Sequence, residues 1–259
     1  MSANPPNLFN PPGHVKVWIF QNSFRMECDS DSGRAFISGL SSWLRYYKYL
    51  SQIRLQYDSL SPVYNQTVWD MLHLAGNKGS GPQPLTPEQT QKLRELESTY
   101  NELSEKLQYH IESFYLFAKI LLDRIADSTL FLWGHVCRSA GSRHTYFYNR
   151  FKDLCSRYHL AVIPEDLRQT IGNLKKRVVD YRTEFIEHPS DPNMLSGLSS
   201  SVSRISGVDV RLHHMGLDKS QTENLGCLLT ALEQYMSDIV MFIGGNIEHS
   251  AIVKKNPAG

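Results

Sequence analysis

The stretch YRTEFIEHPS, residues 181 to 190, carries the most complete chemistry in the chain: Arg182 and His188, with five residues between them. An imidazole that titrates near neutrality can take a proton from a ribose 2′-hydroxyl, and a fixed guanidinium can hold a phosphate as charge grows in the transition state. Such a reaction needs neither metal nor cofactor. The same residues admit a plainer reading. Arg182 can lay its stem along apolar surface and pair with Asp180 or Glu184, while His188 is the kind of cation that a helix C-terminus favours ahead of Pro189. On a straight α-helix, at about 100° per residue, Arg182 falls about 40° to one side of Val178 and His188 about 80° to the other. The two are about 9 Å apart along the axis. They would therefore converge on a ligand, or through a second copy of the helix, rather than touch directly.

Other residues could support such a site. Lys175, Lys176 and Arg177 form a basic run that could extend an RNA-binding edge toward Arg182, or could simply be a solvated face. RHTYFYNRFK, residues 143 to 152, interleaves aromatic and basic side chains as a base-stacking surface does, yet Phe147 and Phe151 also fit a core stripe. His110 sits inside a long apolar heptad, where a hydrogen-bonded polar group can fix helix register. His213 and His214, with Asp209 nearby, are at most a weak metal handle at that spacing.

Several classes of chemistry lack their signatures. There is no glycine-rich phosphate loop, GxSxG elbow, HExxH or pair of close cysteines, and Cys28, Cys137, Cys155 and Cys227 are scattered. Lys plus Arg number 27 against 26 Asp plus Glu, so no global field pulls the chain toward nucleic acid or an anionic membrane, and any basic site is local. The most apolar stretch, from Ser113, is broken by Lys119, Asp123, Arg124 and Asp127, which argues against a membrane span. With an opening, MSANPPNLFNPPGHV, that has no basic and apolar leader pattern, the expected compartment is the cytoplasm.

The elements that position these residues are helical. Residues 1–33, rich in Pro and Asx, read as an extended N-terminal arm in which VKVWIF could be a lone strand. From Arg34, the series Phe36, Leu40, Trp43, Tyr47, Leu50 and Tyr57 recurs at helical spacing, and a second, shorter helix is expected from Pro62 to Gly76. The loop 76–85 follows. Thr86, Pro87 and Gln89 then form a capping box that opens a long stripe: Leu93, Leu96, Tyr100, Leu103, Leu107, His110, Phe114, Phe117, Leu121. Unbroken to Trp133 that helix would run about 70 Å, so a kink or break is expected; it could also serve as a partner-binding coiled coil.

Further helices fit the segment from Ser142 to His159 and the segment from Pro164 to Pro189, whose stripe is Leu167, Ile171, Leu174, Val178, Tyr181 and Phe185. The Ser-rich insertion 189–219 contains VDVRLHH, suited to a short strand or hairpin arm. Ser220 and Glu223 cap a last helix that ends at Gly244 and Gly245, and residues 250–259 read as a disordered tail. About five or six helices with at most a minor β-hairpin make an all-α, up-and-down bundle, a single domain over residues 34–249.

With its helical context, YRTEFIEHP resembles the Arg-and-His motif of the HEPN superfamily of small α-helical proteins. The helix HIESFYLFAKILLDRIADS is similar to the long helix of prokaryotic members related to abortive infection. The resemblance covers residues 86 to 245. It implies an up-and-down bundle, a homodimer whose motif helices face each other, metal-independent RNA cleavage, and, in defence systems of the toxin–antitoxin kind, an antitoxin-like protein partner. Arg182 would grip the scissile phosphate, His188 would act as acid or base, and Thr183, Lys175, Lys176 and Arg177 would line the substrate. The chain departs from the family at Thr183, where active members usually carry Asn, Asp or His, and at Ser190, where some carry Tyr. The competing reading is a non-catalytic helical interaction and dimerisation module.

Overall fold

The computed structural model describes residues 11–27, 30–76, 85–134, 142–183, 198–205, 208–215 and 225–252. Among them run α1 (Gly13–Glu27), α2 (Asp31–Gly76), α3 (Pro87–Leu132), α4 (Arg143–Arg157), α5 (Leu167–Leu174) and α6 (Leu225–Gly245). A π-helical segment, Lys175–Asp180, continues α5, and one antiparallel hairpin pairs β1 (Leu198–Ile205) with β2 (Val208–Met215), Leu198 opposite Met215. The fold is an all-α helical bundle with one hairpin, as the periodicity predicts. The expected loop over 77–84, the helix end at Pro189, the Ser220 and Glu223 cap and residues 253–259 lie outside the described residues.

Two compact units divide the chain, one of residues 1–51, 116–181 and 226–259, the other of residues 52–115 and 182–225. In the first, α2 and α3 cross closely, because Gly39 leaves room for Ser128, whose Oγ would sit 2.4 Å from any Cβ added there. Trp43 Nε1 donates across the same crossing to the Arg124 carbonyl at 3.2 Å. Phe147, Phe151, Leu154, Ile171, Leu174 and Val178 are buried, as are Leu228, Leu232, Tyr235, Met236, Ile239 and Ile243 of α6, and the Phe151 ring meets Phe242 of α6 with centroids 5.6 Å apart. By length and composition α6 could cross a bilayer, the one such helix among the described residues. Its apolar face is committed to this core.

Asn246 locks the end of α6. Its amide donates to the carbonyls of Val162 (2.6 Å) and Phe242 (2.8 Å), and its oxygen accepts from the Ala161 and Val162 amides at 3.0 and 3.1 Å. A buried side-chain amide with all its hydrogen-bonding atoms engaged holds a loop without the cost of an orphaned polar group. The chain beyond, expected as tail from residue 250, is still attached: Ala251 N and Ser250 Oγ both donate to the Leu132 carbonyl at 2.9 Å.

In the second unit Ile53, Tyr57, Tyr64 and Met71 of α2 are buried, as are Leu93, Tyr100, Leu103 and Leu107 of α3, and Tyr64 stacks on Tyr100 with centroids 5.4 Å apart. Thr86 and Gln89 form the expected capping box in both directions, Gln89 N to Thr86 Oγ1 at 3.2 Å and Thr86 N to Gln89 Oε1 at 3.0 Å.

Three expectations are corrected. Residues 13–27, read as part of an extended arm, form α1, because Val17, Gln21 and Phe24 recur at helical spacing and are buried. Tertiary burial outweighs the strand preference of a Val-Trp-Ile-Phe run. Pro62 does not begin a helix but lies inside α2. The lost backbone hydrogen bond is offset by tyrosines buried on either side of it, Tyr57 and Tyr64. The third is α3, which shows no break from Pro87 to Leu132, its buried stripe being continuous.

Candidate functional site

The helix that leads to the Arg-and-His motif is rooted by Leu167, Ile171, Leu174 and Val178, all buried. It then changes its winding. From Lys175 the hydrogen bonds run i to i+5, and Lys175 Nζ reaches both carboxylate oxygens of Asp180, at 2.8 and 2.9 Å. A five-residue spacing is the one a π-turn brings together. The wider turn corrects the angular estimate for Arg182 and His188, which assumed a uniform α-helix. Its effect is visible in Val179, buried beside Val178, whereas the expected stripe residue Tyr181 is only half-buried.

The motif residues are placed as follows. Arg182 is half-buried and Thr183 exposed, both in the segment belonging to the second unit. His188 lies outside the described residues. Lys176 is exposed and Arg177 half-buried, in the first unit, while the Lys175 ammonium is held by Asp180. The basic run therefore offers Lys176 to an anion more readily than Lys175.

Phe147 and Phe151 are core residues, packed edge to face at 5.5 Å, so base stacking on them is excluded by burial. The neighbouring cations are paired as well, Arg143 with Asp127 at 2.9 Å and Arg150 with Asp153 at 3.2 Å. His144 on the same helix is fully buried. Neither ring nitrogen has a hydrogen-bond partner among the described residues, its ring stands edge-on to Tyr235 at 5.7 Å, and burial pulls its pKa down to about 4. The Tyr235 hydroxyl is likewise buried and unpartnered among the described residues, and burial pushes its pKa up.

His110, expected as a hydrogen-bonded register group, has no partner at Nδ1 among the described residues and lies edge-on to Tyr109 at 5.7 Å. Partial burial lowers its pKa. No three His, Cys, Asp or Glu side chains converge among the described residues. His213 and His214 are on β2, paired in register with Ser200 and Ser199.

A concavity lies between α1 and α2. It encloses about 420 Å³ and is mostly apolar, with Val15 and Trp18 on one wall and Leu44 and Tyr47 on the other. The His14 ring lies nearly parallel to Tyr47, centroids 5.1 Å apart, and its Nδ1 is 2.5 Å from Glu233 Oε1. Gly13 lets α1 approach α6 this closely, since any Cβ there would lie 2.0 Å from the Glu233 carbonyl oxygen. Lys16 Nζ donates to Ser237 Oγ at 2.8 Å, a second tie between the same helices. The signal that could have revealed this wall is the spacing of Val17, Gln21 and Phe24, four and three residues apart, inside a segment dominated by its prolines.

No protein-family model, curated protein or solved structure matches the chain.

Proposed function

We propose that the chain is a HEPN-like helical protein acting on RNA as a metal-independent endoribonuclease, or binding it, at a composite site built from Arg182 and His188 of two copies. The observation that carries this reading is local. A half-buried Arg182 follows a π-wound segment on a helix anchored by Leu167, Ile171, Leu174 and Val178. Departures from α-winding recur at functional sites, and a guanidinium on a rooted helix binds phosphate with less ordering cost than one on a mobile loop. In the reaction the 2′-hydroxyl oxygen attacks the adjacent phosphorus and the bond to the 5′-oxygen breaks. His188 handles the proton, and a 2′,3′-cyclic phosphate and a 5′-hydroxyl result. An antitoxin-like protein would bind over this face.

The test is to incubate pure protein with RNA and a chelator, beside Arg182→Ala and His188→Ala. Wild type yields cyclic-phosphate ends and each variant loses at least tenfold in rate. Cleavage or binding unchanged in both variants removes the reading.

A second reading, a non-catalytic interaction module, is favoured by large apolar side chains left in solvent on the second unit: Leu55 (65 % exposed), Trp69 (58 %) and Tyr109 (67 %). At about 100° per residue Leu55 and Trp69 are only about 40° apart around α2. Large apolar side chains exposed along one helix face are the raw material of a partner-binding surface.

A further inference from the structure

We propose that the groove between α1 and α2 is a binding site for a small organic anion with a flat apolar body, of the aromatic carboxylate or sulfonate class. Its volume of about 420 Å³ falls in the range of roughly 300–1,000 Å³ that suits small-molecule sites. Val15, Trp18, Leu44 and Tyr47 supply apolar and aromatic walls, and a planar ligand gains most from such walls by stacking.

Charge selects the sign. Glu233 is already engaged by His14, and Lys16, although it donates to Ser237, keeps its positive charge. Lys48 lines the groove, is exposed, and has no ion-pair partner among the described residues. An anionic head at the lip would meet that ammonium while its body lies against Trp18. The site is also built in advance. His14 is pinned between Tyr47 and Glu233, and Gly13 seats α1 directly on α6. Binding therefore orders few side chains, which is where affinity is usually lost.

The probes are anilinonaphthalene sulfonate and its uncharged counterpart N-phenyl-1-naphthylamine, titrated by fluorescence against the full chain, Lys48→Gln and Trp18→Ala. Both substituted residues are exposed, and an unchanged thermal midpoint checks that the fold is intact. Wild type binds one sulfonate per chain, saturably. Lys48→Gln weakens the sulfonate about three- to fivefold, as loss of one rim charge pair does, and leaves the neutral probe unchanged. Trp18→Ala weakens both probes. The proposal is overturned if binding does not saturate near one per chain, if neither variant changes the sulfonate's affinity, or if Lys48→Gln weakens the neutral probe as much as the anion.

Discussion

His144 offers the sharpest physical prediction, because its burial is complete and nothing among the described residues bonds its ring. In the folded protein its pKa is held down to about 4, first by burial, with Lys175 adding to the effect and Asp123 opposing it; the ordinary value is 6.5. Between those two pH values the unfolded chain binds a proton that the folded chain refuses. Stability therefore rises with pH through this window and is lost as pH falls from 6.5 toward 4. At about 1.4 kcal/mol per pH unit the loss amounts to about 3 kcal/mol.

His144→Phe keeps a flat ring against Tyr235 and removes the titration. At pH 7 the variant should be within about 1 kcal/mol of wild type, since exchanging an unpartnered buried polar ring for an apolar one is close to neutral. Urea unfolding at steps from pH 7 to 4.5 measures the difference. Other groups titrate here too. Asp238 works in the opposite sense, because burial raises its folded pKa and its contribution grows as pH falls. It is common to both proteins and cancels in the comparison. Wild type should lose about 2 to 3 kcal/mol more than His144→Phe by pH 4.5. Parallel loss in the two proteins would show that the imidazole is not buried in its neutral form.

Two packing predictions use the same assay at pH 7. Asn246→Ala removes the partners of the Ala161 and Val162 amides and the Val162 and Phe242 carbonyls, and should cost about 2 to 4 kcal/mol. Hydrogen exchange at Ala161 and Val162 should accelerate with it, and unaltered exchange there would refute the role assigned to the side chain. Gly39→Ala places a Cβ 2.4 Å from Ser128 Oγ, a clash that outweighs the helix-propensity gain of about 1 kcal/mol. Adding Ser128→Ala should recover stability relative to Gly39→Ala alone, and simple additivity of the two changes would contradict a direct contact.

The parts of this molecule legible in its sequence are those governed by short-range physics. Leu93, Tyr100, Leu103 and Leu107 recur at the helical period and are buried, and Thr86 and Gln89 are three residues apart and bond each other. Both facts need only the local chain, and so the all-α class and the start and stripe of α3 could be read from residue spacing, though not its unbroken run to Leu132. The spacing of Arg182 and His188 is a pattern of the same local kind, and His188 lies outside the described residues.

What only the tertiary structure decided is where a local pattern was ambiguous or met an opposing long-range force. VKVWIF suits a strand or a helix equally in isolation. It is helical because Val17 and Phe24 find a core and because Gln21 donates to the Ile37 carbonyl at 3.1 Å, from a different helix. The groove exists only once α1 is so placed, since its walls come from residues some thirty positions apart in the chain and its histidine is held by Glu233, more than two hundred positions away. The π-turn that re-aims the motif helix is closed by the pairing of Lys175 with Asp180. Burial and cross-chain bonding act through space, and spacing along the chain does not encode them.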